Sequence, residues 1–490
     1  MINSPVPPFA EELLGQCRPM TTQAGTEEDE AATESMVTWL DTQYPRETQA
    51  GFNRRLHALV EIERLASEWV KSLGASNARL LTFGSFRLGV ITQSSDIDSV
   101  ILIPASIARE RFFTEFASLL ASLPEVTECN SVPDARVPVI KVKFREMSVD
   151  LLAARVPQQY LEPEIETIDE NSIWLVEEKC MKSMNGVRVA DRILSLVPDC
   201  ETFRIATRMI KYWAMQRMIY SNAMGYVGGV SWALMVAKIC QYYPYVSAKE
   251  IVYRFFQAFA GWSWEENKPV TLAGIQDKPI PRGLNPQQYK EWNGSKYLSD
   301  KQQPFPIITP IFPCHNTAYN VTEVQRDIIV REIKRGHVIT DIMAINPEIS
   351  WDDLCSPFPF FESFERYLVM EVYAETEPIL LKFRGLVESR MRSLIKSLWE
   401  TAGVEARPNT DFFKDEEVVG GKFYLGLSTS QEGDYDLRHA VQTFYTDTME
   451  KAIYNPEWSQ GIGNLGLSVK CVTRESLEEP TFKAKRMRVE

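Results

Sequence analysis

FGSFRLGVITQSSDIDSVILIP, residues 83–104, is the stretch that decides how the rest of this chain is read. It opens on Gly84-Ser85, a small pair that lets backbone approach a ligand, and closes on the aliphatic run Val100 to Ile103. Between them stand Asp96 and Asp98, two residues apart at the mouth of a buried strand, where i and i+2 share a face. Two like charges there repel each other and lose hydration, so the arrangement calls for a compensating cation. Hard oxygen ligands without a nearby His or Cys point to Mg²⁺ or a similar ion rather than zinc.

Each piece alone is bland: a GS pair is any turn, and a D-x-D is commonly a solvated loop. In this order, followed by a strand, they resemble the signature of the nucleotidyltransferase superfamily. A site of two metals about 3.5–4 Å apart needs a third carboxylate. Val137 to Phe144 and Val149 to Leu152 flank the polar break Arg145 to Ser148 and read as an antiparallel hairpin, with Asp150 among apolar neighbours on its second strand. The competing reading makes Asp150 a strand-edge residue paired to Lys141 or Lys143.

At 490 residues the chain calls for about three domains. Its 44% hydrophobic and 24% charged content is that of a soluble globular protein. No apolar run is long enough to span a bilayer, and the N-terminus lacks signal-peptide features, so an intracellular protein is expected. Eight scattered cysteines with no C-x-x-C pair fit reduced thiols. The net charge of −13 is concentrated in residues 1–50, which hold nine acidic and two basic residues. The remainder keeps room for local basic faces.

The acidic N-terminal segment, 1–50, carries a helical pattern opened near Gly25 to Glu30 and running to Trp39, and is expected to pack on the middle domain. Apolar spacing predicts an amphipathic helix over 52–73, packed against the Asp96–Asp98 strand, and another over 112–123. From Phe203 to Met215 a helix presents Arg204, Arg208 and Lys211 as a one-sided basic stripe, a pattern commonly belonging to a solvated face. It leads into Ile219 to Asn222 and the glycine-rich Gly225 to Trp232, a cation, a phenol and an amide that suit a triphosphate and a base. Helices follow over 232–243 and 251–259, with Trp262 and Trp264 read as packing. Another spans Val321 to Asp341, capped by Asn320 or Thr322 and interrupted near Gly336. The last third reads as β-α-β-β-α-β, the split βαβ order of RNA-recognition modules, without a full aromatic RNA-stacking strand. Arg384, Arg390, Arg392 and Lys396 would touch phosphates from that side.

FGSFRLGV, SDID, PDARVPVIKVKF, VDLLAARV, SMNGVRVAD, IKYWAMQRMIYSNAMGYVGGVSWALMVAKICQYYP, PIITPIFP, YNVTE and GLVESRMR, taken together between Phe83 and Arg392, resemble the eukaryotic poly(A) polymerase family. The resemblance implies an α+β multidomain fold: a polymerase-beta-like nucleotidyltransferase catalytic domain (51–190), a mostly helical middle domain (191–346), a C-terminal RRM-like domain (347–476) and a basic tail (477–490). It implies Asp96, Asp98 and Asp150 as catalytic metal ligands, with two Mg²⁺ or Mn²⁺ ions. Phe83, Gly84, Ser85, Lys211, Tyr220, Asn222, Gly229, Val230 and Thr309 would bind the nucleotide, and Arg136, Val137 and Asn185 the RNA. Arg136 stands where the family usually has an aromatic residue, which puts that contact in question. The expected activity is template-independent transfer of AMP from ATP to an RNA 3′ end, by a nuclear monomer working with cleavage and polyadenylation factors. A uridylyl- or CCA-type tailing enzyme and a catalytically silent RNA-binding scaffold are the alternatives.

Overall fold

Ile97 to Pro104 form β2, whose residues from Ser99 on are buried because both faces of the strand are covered. The computed structural model describes residues 16–133, 137–162, 164–168, 170–274, 280–429, 436–454 and 465–477. Arg136, residues 1–15 of the acidic segment and the basic tail from 478 on lie outside the described residues. With β1 (Arg79–Thr82), β3 (Val126–Val132), β4 (Val139–Phe144) and β5 (Met147–Val156), β2 builds a sheet in the order β1-β2-β5-β4-β3. Only β2 and β5 run parallel, and in their register Asp98 lies directly beside Asp150. The β4–β5 turn is tighter than the four-residue break expected. Arg145 and Glu146 alone make it, at φ 47° and 65°, the left-handed pair a two-residue hairpin requires.

Helix Gln49–Ser72, whose Thr48 hydroxyl accepts from the Gly51 amide, lays Leu59, Ile62, Leu65 and Trp69 on one face of this sheet. The expected helix over 112–123 is present as a helical stretch from Arg109 to Ala121 containing a π turn at Phe112–Phe116. On the other face lies helix Glu178–Leu196, which runs straight through residue 190 into the next unit. N-terminal helix Glu27–Gln43 begins at a Thr26–Asp29 capping box, with four acidic residues in its first turn where the helix dipole favours them. It buries Met36, Leu40 and Tyr44 against the helices that follow.

Those helices are Cys200–Gln216, Gly229–Tyr242, Ala248–Ala260 and Glu323–Met343, packed around Trp213, Trp232, Phe255, Phe256 and Phe259. Trp264 stacks on Phe305 with ring centres 4.1 Å apart, so it is packing, as expected. Thr322 is the N-cap of the last helix, but Gly336 does not interrupt it. The glycine leaves room for the Phe256 ring, which a side chain would displace. Nor is the basic stripe a solvated face. Arg208 is buried, donating to Asp41 (2.8 Å) and to the Tyr44 carbonyl (2.7 Å), while Arg204 donates to the Leu88 carbonyl. Periodicity identified the face; its acidic and carbonyl partners came from segments far away in sequence.

The C-terminal unit is a second sheet, β6 (Arg366–Tyr373), β7 (Val404–Pro408), β8 (Phe413–Lys414), β9 (Gly420–Thr429) and β10 (Gly466–Thr473), ordered β10-β6-β9-β7 with β8 beside β9. Helices Glu377–Ala402 and Arg438–Ile453 cover one face. Over Tyr367, Val369 and Tyr424 on the other face the chain folds its own aromatic segment, Phe358 to Phe364. Phe361 meets Tyr424 edge-on at 5.2 Å, and Gly426 leaves the space that the Phe364 ring fills. None of the eight cysteines is disulfide-bonded, and no described helix is long and apolar enough to cross a membrane.

Candidate active site

The β2 mouth, the short helix Gly84–Leu88 and the start of helix Gly229–Tyr242 converge on one cavity of about 700 Å³. Phe83, Gly84, Ser85, Asp96 and Asp98 line it from the first sheet, and Asn185 from the helix behind. Lys211, Tyr220, Asn222, Gly229, Val230 and Thr309 line it from the helical unit. Every nucleotide-site residue named from the sequence is thus in one wall or another. Val137 is not; it packs with Phe83 and Val139 in the apolar cluster beneath. Asp150 also stands just outside the lining, turned toward its cross-strand neighbour Lys141, whose Nζ is 3.3 Å from Asp150 Oδ2.

The Lys141 pairing expected of Asp150 is present, but its strand is not an edge. β5 lies between β2 and β4, so Asp150 is interior to the sheet and adjacent to Asp98. Burial, then the charges of Asp150 and Asp96, push the Asp98 carboxyl up to about 7, with Lys211 and Lys141 pulling the other way. The donor set, three carboxylates and no imidazole or thiolate, fits hard divalent cations. Among the described residues no three acidic groups converge on one point, and Lys141 is the counter-ion of Asp150.

Lys211, on the helical unit, is buried with its Nζ 5.7 Å from the centre of the Tyr220 ring. Gly229, the first residue of its helix, faces the Tyr220 hydroxyl so closely that a Cβ would lie 2.6 Å from it. Asn222 is held by Asn320 Nδ2, 3.1 Å from its Oδ1 and 3.2 Å from its carbonyl, and Arg392 in turn donates to Asn320 Oδ1. Thr309 Oγ1 accepts from the His315 amide, and Asn185 Oδ1 accepts from Arg188 Nη1 at 3.0 Å.

The C-terminal unit contributes differently from what its basic residues suggested. Arg384 lies over the Phe412 ring at 5.1 Å, and Arg392 donates to Asn320 Oδ1. Instead Phe358, Glu388, Thr410 and Asp411 complete the cavity wall, together with Lys141 from β4. Of these, sequence reasoning named only Lys141, as a partner of Asp150; Glu388 stood inside the GLVESRMR stretch without being singled out.

Three family descriptions match successive stretches: the poly(A) polymerase nucleotidyltransferase domain over residues 15–197, the poly(A) polymerase central domain over 202–357, and the poly(A) polymerase predicted RNA binding domain over 359–421. Poly(A) polymerase PAPalpha of Candida albicans is 33% identical over 424 residues, covering 84% of this chain and 74% of that protein. The chain belongs to the poly(A) polymerase family. Poly(A) polymerase pla1 of Schizosaccharomyces pombe is 37% identical over 391 residues, 78% of this chain and 67% of its own length. Nuclear poly(A) polymerase 2 of Arabidopsis thaliana is 34% identical over 82% of this chain, which spans only 52% of that relative. The chain thus spans from about half to about three quarters of these relatives' lengths. Among solved structures, a cytoplasmic RNA terminal U-transferase is similar at 15% identity, over 66% of this chain and 99% of that one, with a TM-score of 0.46.

The poly(A) polymerase family assignment agrees with the topology. A polymerase-beta-like nucleotidyltransferase sheet, a helical middle region and a C-terminal sheet domain follow one another as the motifs implied.

Proposed function

We propose that this chain is a template-independent polynucleotide adenylyltransferase that joins AMP from ATP to the 3′-hydroxyl of RNA and releases pyrophosphate. The observation that carries the reading is a cavity lined by Asp96, Asp98, Lys211 and Tyr220, with Asp150 beside Asp98 just outside the lining. The relatives' names supply the choice of adenylate.

In this reading Asp96, Asp98 and Asp150 hold two divalent ions, Mg²⁺ or Mn²⁺. Bound there, such ions acidify an attacking hydroxyl and neutralise a triphosphate. The chain's own groups do the rest. Lys211 and Tyr220 orient the β- and γ-phosphates and stabilise the charge that builds toward pyrophosphate. Gly84-Ser85 lets the backbone lie against the triphosphate. Asn222, Gly229, Val230 and Thr309 surround the base. Phe83 lies against the nucleotide, and Asn185, Val137 and Arg136 are assigned to the RNA end. The 3′-oxygen attacks the α-phosphorus in line, so no covalent enzyme intermediate forms.

The protein works in the nucleus as a monomer, delivered to its RNA by cleavage and polyadenylation factors. Relatives named nuclear poly(A) polymerases support the location.

The test is extension of labelled oligo(A) with Mg²⁺ or Mn²⁺ and one triphosphate at a time, beside Asp98→Ala. A ladder with ATP alone, absent in the variant, is expected. A ladder with UTP moves the chain to the uridylyl class. RNA binding without any turnover makes it a silent scaffold.

A further inference from the structure

One cavity-wall group has no use in the reaction just described. Glu388, on helix Glu377–Ala402 of the C-terminal unit, is half-buried and faces the cavity. Burial pushes its carboxyl up, and the nearby charges of Arg384 and Lys141 pull it down, yet it makes no ion pair or hydrogen bond among the described residues. Neither cation bonds to it. Arg384, four residues earlier at the spacing where helical ion pairs form, lies over the Phe412 ring instead. Lys141, across the cleft, is paired to Asp150 at 3.3 Å.

The Glu388 carboxylate lines the cavity with its acceptor oxygens uncommitted, where a ligand's donor can meet them. Its sign rejects phosphate and calls for a neutral donor. Its place indicates which substrate: Glu388 feels Lys141, the counter-ion of Asp150 on β4, while Lys211 and Tyr220 line the cavity from the helical unit. In the adenylyltransferase reading, on which this inference rests, the triphosphate belongs with Lys211 and the RNA end with the Asp150 side.

We propose that Glu388 is a specificity residue that accepts a hydrogen bond from the 3′-terminal nucleotide of the RNA, through either the ribose 2′-hydroxyl or the adenine amine. It thereby distinguishes a ribonucleotide or adenine end from ends that lack the donor.

The test compares the full-length wild type, Glu388→Ala and Glu388→Gln at pH 8 on oligo(A) whose last residue is adenosine, 2′-deoxyadenosine or purine riboside, which lacks the amine. Binding is read by fluorescence anisotropy without ATP or metal, and KM and kcat by extension. Loss of a charged acceptor should weaken binding of the adenosine end about tenfold in Glu388→Ala and less in Glu388→Gln, which keeps a carbonyl oxygen. KM for ATP should hold. The penalty should vanish on the deoxy end if the hydroxyl is the donor, or on the purine riboside end if the amine is. An equal penalty on all three ends, no penalty, or a change confined to KM for ATP would overturn the proposal. Should Glu388→Ala fail to fold, Glu388→Gln carries the same comparison. Should the wild type bind and discriminate these ends but add no adenylate, the reaction assigned to the site fails while the role of Glu388 stands.

Discussion

A Cβ placed on Gly84 would overlap Asp98 Oδ2, and Gly84 itself sits at φ +60°. The glycine of the GS pair thus meets two demands at once, a left-handed backbone and direct contact with the middle carboxylate of the site. Gly84→Ala should therefore cut primer extension by roughly a hundredfold or more, by turning Asp98 aside, while costing only about 1 kcal/mol of stability. Paired activity and thermal-melt measurements check this. Near-normal turnover would mean that the carboxylate position is not demanding.

Asp98 gives the site a pH signature. Its folded carboxyl titrates near 7, well above an unfolded aspartate, so between pH 4 and 7 the folded state holds a proton that the unfolded chain has lost. For this group the metal-free protein loses stability as pH rises through that window. Asp98→Asn should raise the melting temperature of the metal-free protein at pH 8 and flatten its dependence on pH. In the wild type the metal concentration needed for half-maximal activity should climb as pH falls below 7, because proton and cation compete for one carboxylate. An unchanged melting profile in Asp98→Asn would remove the electrostatic argument.

Much of this architecture was legible because it is written locally. Helix periodicity gave Gln49–Ser72, and local pattern gave six of the seven elements of the C-terminal unit, all but the two-residue β8. The family resemblance gathered the residues proposed for the nucleotide, and these line one cavity. What local sequence does not carry is partnership across distance. Arg208 looks like a surface cation until Asp41 and Tyr44 arrive from another helix. Gly336 reads as a break when only its helix propensity is counted, but the Phe256 ring sets its role.

Gly229 and Tyr220 form a second glycine-dependent contact. A methyl group at 229 would sit 2.6 Å from the Tyr220 hydroxyl and shift the phenol that lies over Lys211. Gly229→Ala should raise KM for ATP about tenfold. The double variant with Tyr220→Phe should be no worse than Tyr220→Phe alone, because the clash needs the hydroxyl. Fully additive losses would show that the two residues act separately.

The C-terminal sheet hides the face on which an RNA-recognition module would stack bases. Tyr367 is fully buried beneath Phe360 and donates its hydroxyl to the Phe360 carbonyl at 3.0 Å, and Phe361 and Phe413 enclose Tyr424. Tyr424→Leu should accordingly leave KM for oligo(A) within about twofold of wild type while lowering the melting temperature. A base-stacking tyrosine would instead lose roughly 1–3 kcal/mol of RNA binding with little change in melting. Titration of each variant with oligo(A) separates the two.

Glu332 joins the helical unit to this sheet. Its carboxylate accepts from Arg217 Nε at 2.8 Å and from Arg407 Nη2 at 2.9 Å, all three side chains being buried, and Arg407 also donates to the Arg217 carbonyl. Burial alone would raise the Glu332 carboxyl, but the Arg217 hydrogen bond and the two guanidinium charges outweigh it and hold it below the usual range. The sign follows: the stabilisation is present above the unfolded glutamate pKa and is lost as pH falls through the lower folded value. Glu332→Gln leaves two buried guanidiniums facing a neutral amide, which should cost about 3–5 kcal/mol. Because Arg407 lies on β7 and its guanidinium carbon stands 3.5 Å from the centre of the Phe358 ring, the loss falls on the junction. Limited proteolysis of the variant should therefore release the C-terminal unit before the nucleotidyltransferase sheet is cut. Uniform digestion, or a melting temperature equal to that of the wild type, would show that the junction is held by the surrounding aromatic packing alone.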